Sequence, residues 1–298
     1  IARARLKRST LLKSRSARIF GAIGGTWRSL AKIHQVASGY PLHMVQHYEA
    51  RAADIHALCE AIVSAAAAGK PFPGYDSISS SRRELMPFGA AVLAEVIEAG
   101  DVERVVFSAL GVREGYLFGL LEATDRATDP LLQASREISL LRSRSPAHAE
   151  DLIGFTASVL DALGIIEAPG EKRLREVVCH LSDIGWRGHP DYRGEQSVDM
   201  VAYGSMIGID HPGRAFLAEV LAVRYMGLKH KSMSQSLLDL AGPVAHARAR
   251  LIGAIFRIAY PMSAAMPGVL PRVGVSMQNG ILILTLPPDL AFLAGQHL

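Results

Sequence analysis

Two cysteines in 298 residues, Cys59 and Cys179, are too few for a disulfide scaffold, and neither belongs to the Cys-x-x-Cys pair of a zinc knuckle. No apolar run reaches the roughly 18 residues that a bilayer-spanning helix takes, and no signal-peptide core follows the basic opening. These absences suit a protein of the reducing cytoplasm with no membrane partner. Also missing are a G-x-S-x-G elbow, a cysteine-histidine catalytic signature and a P-loop, so the common nucleophilic and nucleotide-cradling arrangements are excluded. Residues 1–18 lack acid altogether, while seven of them are Arg or Lys. The net charge of +4 therefore comes from one end: the remainder holds 25 basic against 28 acidic residues. Basicity this local argues against a nucleic-acid binder, and leaves the run as a solvated helix face or an anion-binding one.

What is present is apolar. With 49% hydrophobic and 20% charged residues, the chain can bury the cores of about two domains. Alanine-rich runs such as 64-SAAAAG-69 and 89-GAAVLAEVIEAG-100 favour helix. The segment 18-RIFGAIGG-25 reads as a short strand with glycines at its exit, feeding a helix over 26–38. Glycines let a ligand approach the backbone, and the N–H groups of a first helical turn face an anion, with Thr26 placed to cap or donate. Gly-Gly also makes ordinary tight turns, so the motif alone is weak. An amphipathic helix follows over 51–69, then a proline- and serine-rich loop over 70–85, the helix 89–100, a buried-strand pattern at 103–111 and a helix over 113–123. This is open α/β texture, in which ligands lie beyond the carboxyl ends of the strands, here Gly24-Gly25 and Gly111–Arg113. Glu114 reads as a base candidate or, more simply, as an acid favoured at a helix start.

From about residue 126 the periods become helical throughout, over 129–141, 149–164, 171–184, 195–207, 212–227, 232–241 and 243–259. At the end, Asn279-Gly280 between 273-VGVSM-277 and 281-ILILTL-286 predicts a β-hairpin. The expected fold is α/β plus all-α, divided into 1–125 and 126–298. The opening Ile-Ala-Arg, already inside a helical pattern, reads as part of something longer.

The stretch 180-HLSDIGWRGHPDYRG-194 carries the most chemistry. His180 and Asp183 are three apart, hence on one helix face, and are the metal-ligand candidates. Ser182 stands beside Asp183 where a second histidine would complete a metal-binding pair, and an octahedral hard cation would need His189, Asp210 or His211 to converge as well. The expectation is no metal here, but an anion-binding or structural polar cluster. Arg187, His189 and Arg193 follow closely beside the flat wall of Trp186. Arginine forks match phosphate oxygens, and a protonated His189 can join them. The competing reading pairs these arginines with Asp191 and Glu195. Arg214 and Arg224 lie on one helix, and 229-KHK-231 reads as a loop in solvent.

Taken in order, 24-GGTWRSLAKIHQ-35, 41-PLHMVQHYE-49, 83-RELMPFGAAVLAEVIE-98, 106-VFSALGVREGYLFGLL-121 and 180-HLSDIGWRGHPDYRGEQS-197 resemble the exopolyphosphatase and guanosine-pentaphosphate phosphohydrolase family. The resemblance implies the C-terminal part of an actin and sugar-kinase-like (ribonuclease H-like) domain, then a helical domain similar to the His-Asp phosphohydrolases. It places Gly24, Gly25 and Thr26 at a phosphate- or nucleotide-binding crevice; Arg28 is read as a further group of that wall, and Arg187, His189, Arg193 and Arg214 as a polyphosphate track on the helical domain. It implies cleavage of the terminal phosphate from inorganic polyphosphate or guanosine pentaphosphate with Mg²⁺; a helical domain this rich in Ala and Leu suits a homodimer. The family's Asp-x-Gly phosphate loop, Asp-x-Gly-Gly-Gly-Ser loop and catalytic glutamate have no counterpart in these residues, so the general base is expected in a preceding segment and this chain alone is expected to be inactive. Two other readings stand beside this one: a metal-dependent nucleotide phosphohydrolase seated in the helical domain, and a non-catalytic polyphosphate-binding or dimerisation module.

Overall fold

The computed structural model describes residues 18–294, with Leu6, Arg8 and Ser9. The basic helix expected over 1–18 lies almost wholly outside the described residues. The chain divides into two compact units, residues 1–127 and 128–298.

The first unit is built on strands β1 (Ile19–Ile23), β2 (Tyr48–Arg51) and β3 (Arg104–Ser108), with helices α1 (Gly25–Ala37), α2 (Ala52–Ala67), α3 (Ser80–Arg83), α4 (Met86–Gly100), α5 (Val112–Gly119) and α6 (Ala123–Ala127). The strand order is β1-β3-β2. β3 is paired on both edges, and its Val105 and Phe107 are fully buried. The β1–β3 pair is parallel, with Ile23 opposite Ser108, so both strand exits reach one edge of the sheet. β2 was not apparent from the sequence. Four residues, two of them charged, give too short an alternation to separate from the helix that follows. It pairs antiparallel with β3, burying Tyr48 and setting Glu49 against Arg104 at 2.8 Å. Leu30 and Ile33 of α1, Ile55 and Ile62 of α2, and Leu93 of α4 complete the core.

The second unit consists of helices α7 (Pro130–Arg142), α8 (Ala147–Ala162), α9 (Pro169–Leu181), α10 (Arg193–Tyr203), α11 (His211–Met226), α12 (Gln235–Asp239) and α13 (Pro243–Ser263), closed by strands β4 (Gly274–Gln278) and β5 (Ile281–Thr285). The starts are written locally. Asp129 caps α7 through Leu131 N–H, with Pro130 at its first position, and Asp210 caps α11 through Gly213 N–H. α11 is buried along most of its length between α10 and α13, which is why its sequence shows little polar face. The terminal hairpin forms as expected, with Asn279 and Gly280 both at positive φ. Among the described residues, no helix is long and apolar enough to cross a membrane.

Candidate functional site

Asp183 lies just past the end of α9, where the chain turns down through residues 182–188, and it is 5% exposed. No cation-binding partner approaches it; two arginines do. Arg144, in the link between α7 and α8, donates Nε to Oδ2 at 2.9 Å and Nη2 to Oδ1 at 2.8 Å, and its own backbone N–H adds a third bond at 3.2 Å. Arg224, in the last turn of α11, donates Nη2 to Oδ1 at 3.0 Å. Its guanidinium is held between two rings, 3.6 Å from the centroid of Tyr260 and 3.9 Å from that of Tyr225. Such stacking suits a planar delocalised cation and fixes its direction.

These groups line a cavity of about 390 Å³ together with Trp186, Arg193, Phe256, Arg257 and Pro261. Arg193, at the start of α10, lies over the Tyr225 ring at 5.7 Å, and Arg257 donates to the Arg224 carbonyl at 3.3 Å. Four guanidiniums thus surround one carboxylate, an excess of three positive charges. The side chain of Arg224 is only 7% exposed, and its Nε, buried at the cavity wall, has no hydrogen-bond partner. Of the four only the Arg224 side chain is buried, and Asp183, which it shares with Arg144, is the single carboxylate that balances it.

The wall behind the arginines is a closed polar network. Ser182 donates to the Cys179 carbonyl at 2.6 Å, so Tyr260 donates its phenol proton to Ser182 Oγ at 2.7 Å. Burial raises the Tyr260 pKa to about 12, keeping it a neutral donor. Ser263 donates to the Ala259 carbonyl, so His148 Nε2 donates to Ser263 Oγ at 2.7 Å. Burial lowers the His148 pKa to about 4, and the uncharged ring packs edge-on against Tyr260 at 5.1 Å.

His180 and Asp183 share a stretch of chain but not a site. Burial lowers the pKa of His180, and its Nε2 points toward Glu150, 3.9 Å away. Among the described residues no group of three or more histidines, cysteines or carboxylates is arranged to hold a metal ion. The hard oxygen ligands that Mg²⁺ takes are scarce in the cavity lining: its one carboxylate, Asp183, is occupied by guanidinium donors, and arginine ligates no metal.

The residues expected to form a track separate. Arg193 lines the cavity. Arg187 is exposed and stacks on Trp186 at 5.3 Å, outside the cavity lining, and His189 is exposed and pairs locally with Asp191 at 3.6 Å. Arg214 must be withdrawn. It is 0% exposed and donates to the carbonyls of Val201, Ala202, Gly204 and Met206, closing the C-terminal end of α10. Burial lowers its pKa to about 10. The segment 229-KHK-231 is a loop, as expected, with both lysines exposed, but His230 is not in solvent: its buried side chain meets Glu219 at 3.0 Å. Arg144 and Arg257 were missed, because they come from a link and from a third helix that no local spacing joins to residues 180–194.

In the first unit the glycine turn faces two ways. Gly24, at φ 122°, and Thr26 line an apolar cleft with Trp27, Leu85, Phe88 and Val92; the N-cap of α1 is Gly24, and Thr26 makes no cap. Gly25 and Arg28 line a separate polar crevice, where Arg28 joins the two strand exits by donating to the Ala109 carbonyl at 3.0 Å. Glu114 accepts from Gly111 N–H at 2.6 Å, and that bond, first among its causes, holds its carboxyl below the usual range. It is a cap.

The chain is thus a two-unit protein, an α/β unit followed by a helical unit that holds an arginine-lined cavity. The family described as exopolyphosphatase, C-terminal, matches residues 131–298, more than half of the chain, and the chain belongs to it. No curated protein matches the chain.

Proposed function

We propose that the chain is part of an exopolyphosphatase, releasing the terminal phosphate of inorganic polyphosphate or of guanosine pentaphosphate, and that the helical unit holds the polyanion in the cavity lined by Arg144, Arg193, Arg224 and Arg257. The observation that carries this reading is the three-charge excess over Asp183, with the buried Arg224 fork already oriented by two aromatic rings. Many modest phosphate contacts hold a chain without fixing its register, as removal from one end requires. In this reading Gly25 and Arg28 form part of a phosphate-binding crevice wall in the first unit, while Gly24 and Thr26 line the apolar cleft beside it. Mg²⁺ enters this reading with the substrate, whose phosphate oxygens are the hard ligands that the cavity lacks. No general base is assigned to this chain, and the homodimer belongs to the same proposal.

The test is binding of long polyphosphate at low salt, followed by anisotropy. Replacing the exposed Arg257 and the half-buried Arg193 together by alanine is expected to weaken binding about tenfold, a loss of about 1.4 kcal/mol, with the melting temperature kept. Arg187→Ala, outside the cavity, is expected to cost less than threefold. Unchanged affinity in the double variant rejects the cavity as the polyanion site.

A further inference from the structure

Residues 228–241 run from the end of α11 to the start of α13, and a glycine with positive φ stands at each end. Gly227 is at φ 89°, ψ 173° and Gly242 at φ 76°, ψ 161°, a region that residues with a side chain rarely enter. Between the two the chain is held shallowly. It includes the short α12, yet its only buried apolar side chains are Met233 and Leu237. A stretch with so few buried apolar contacts opens locally at low cost.

The third inward group is His230, its side chain buried between the exposed Lys229 and Lys231. It meets Glu219, a carboxylate buried in the middle of α11, at 3.0 Å from Nε2 to Oε2. From α13, Arg250 approaches the other oxygen, Oε1, at 3.3 Å, and His246 stands 3.9 Å from it. Arg250 also donates Nη2 to the Leu228 carbonyl at 2.7 Å, which ties the carboxylate to the first residue of the segment. The fit is incomplete: His230 Nε2, His246 Nδ1 and Glu219 Oε2 are buried and have no hydrogen-bond partner. Attraction to the buried carboxylate holds the segment down, while the unpartnered polar atoms are a cost that opening to water removes. Gly227 also borders the arginine cavity. A Cβ placed on it would stand 3.7 Å from Arg257 Cζ, so that guanidinium lies against the glycine while it donates to the Arg224 carbonyl at 3.3 Å. A turn of the chain at Gly227 therefore moves the surface on which a cavity arginine rests.

We propose that residues 228–241 form a strap that swings as one piece about Gly227 and Gly242, that Glu219 is its latch, and that the closed strap supports Arg257 at the cavity. The cavity then has two settings, with Arg257 backed by the strap or released from it. This device needs no ligand and stands whether or not the cavity takes a polyanion.

Trypsin cuts a folded chain where it opens locally, so cutting after Lys229 and Lys231 follows the open fraction of the strap. The experiment measures that rate on the whole chain by mass spectrometry, with cutting after Arg175, buried in α9, as the reference for loosening of the whole unit. His230→Gln is expected to speed cutting after the two lysines at least fivefold, with the rate after Arg175 and the melting temperature kept. Gly242→Ala is expected to do the same by a different route: its Cβ meets nothing within 4 Å, so it strains only the closed backbone. Arg257→Ala is expected to raise the rate at least twofold, because coupling between the strap and Arg257 is reciprocal. The parent's rate in His230→Gln overturns the latch, in Gly242→Ala the hinge, and in Arg257→Ala the link to the cavity. A rise matched after Arg175 in every variant overturns the strap, because the whole unit has then loosened.

Discussion

Asp183→Asn separates the two meanings of the His180–Asp183 stretch. If the carboxylate is the counter-ion of Arg144 and Arg224, its loss leaves two guanidiniums facing an amide that is nearly the same shape but uncharged. The buried Arg224, at 7% exposure, bears most of the cost, while Arg144 is 38% exposed and recovers water. Removing one partner of a buried pair costs about 3–5 kcal/mol, and the partial exposure of Arg144 argues for the lower end, about 3 kcal/mol. For a unit of this size that is a fall in melting temperature of about 6–12 °C. The same change raises the excess charge of the cavity from three to four, so a polyanion is expected to recover stability in the variant beyond what it adds to the parent. At 100 times its dissociation constant a ligand adds about 2.7 kcal/mol, enough to return most of the loss. Scanning calorimetry with and without tripolyphosphate reads both effects. A variant that melts within about 1 °C of the parent refutes the counter-ion role, and a parent stabilised by Mn²⁺ where the variant is not restores the metal site.

Two further outcomes follow from the same unit. Arg214→Met is expected to lower stability by about 3–5 kcal/mol, because four carbonyls at the end of α10 lose their donor, while polyphosphate affinity measured below the melting temperature stays unchanged; a weakened affinity would return Arg214 to the track. His148, with a folded pKa near 4 against an ordinary value of 6.5, stays neutral in the folded state where the unfolded chain takes up a proton. Stability is therefore fully present above about pH 6.5 and falls as pH drops toward 4, by up to about 1.4 kcal/mol per unit, and His148→Gln flattens that limb in denaturant melts at stepped pH.

Except for the five-residue α12, the helices of the second unit were legible because they are long enough for their period to show, and the hairpin because Asn-Gly at positive φ has few alternatives. β2 was not, since its four residues owe their conformation to β3 and not to their own pattern. In the site, Asp183 and Arg193 were legible from local spacing. Arg214 was misread for the reason that Arg224 was undervalued: the two stand ten residues apart on one helix, and only the packing of α11 decides which faces carbonyls and which faces a cavity. Arg144 and Arg257 carried no signal, because their approach to Asp183 depends on where two other elements end.

That dependence also explains how a metal-like stretch comes to carry an excess of positive charge. A buried acid beyond a helix end, with other elements converging on it, is a frame that can bind a cation when the converging groups are histidines and carboxylates. Here the converging groups are guanidiniums, and Ser182, where a second histidine would stand, is engaged with Tyr260 and the Cys179 carbonyl. Two arginines already exceed the charge of Asp183, and Arg193 and Arg257 add to the excess. The field at the centre of the cavity therefore has the opposite sign from that of a metal site, and under the function proposed above what it would attract is the substrate's phosphates, with any divalent ion arriving on them.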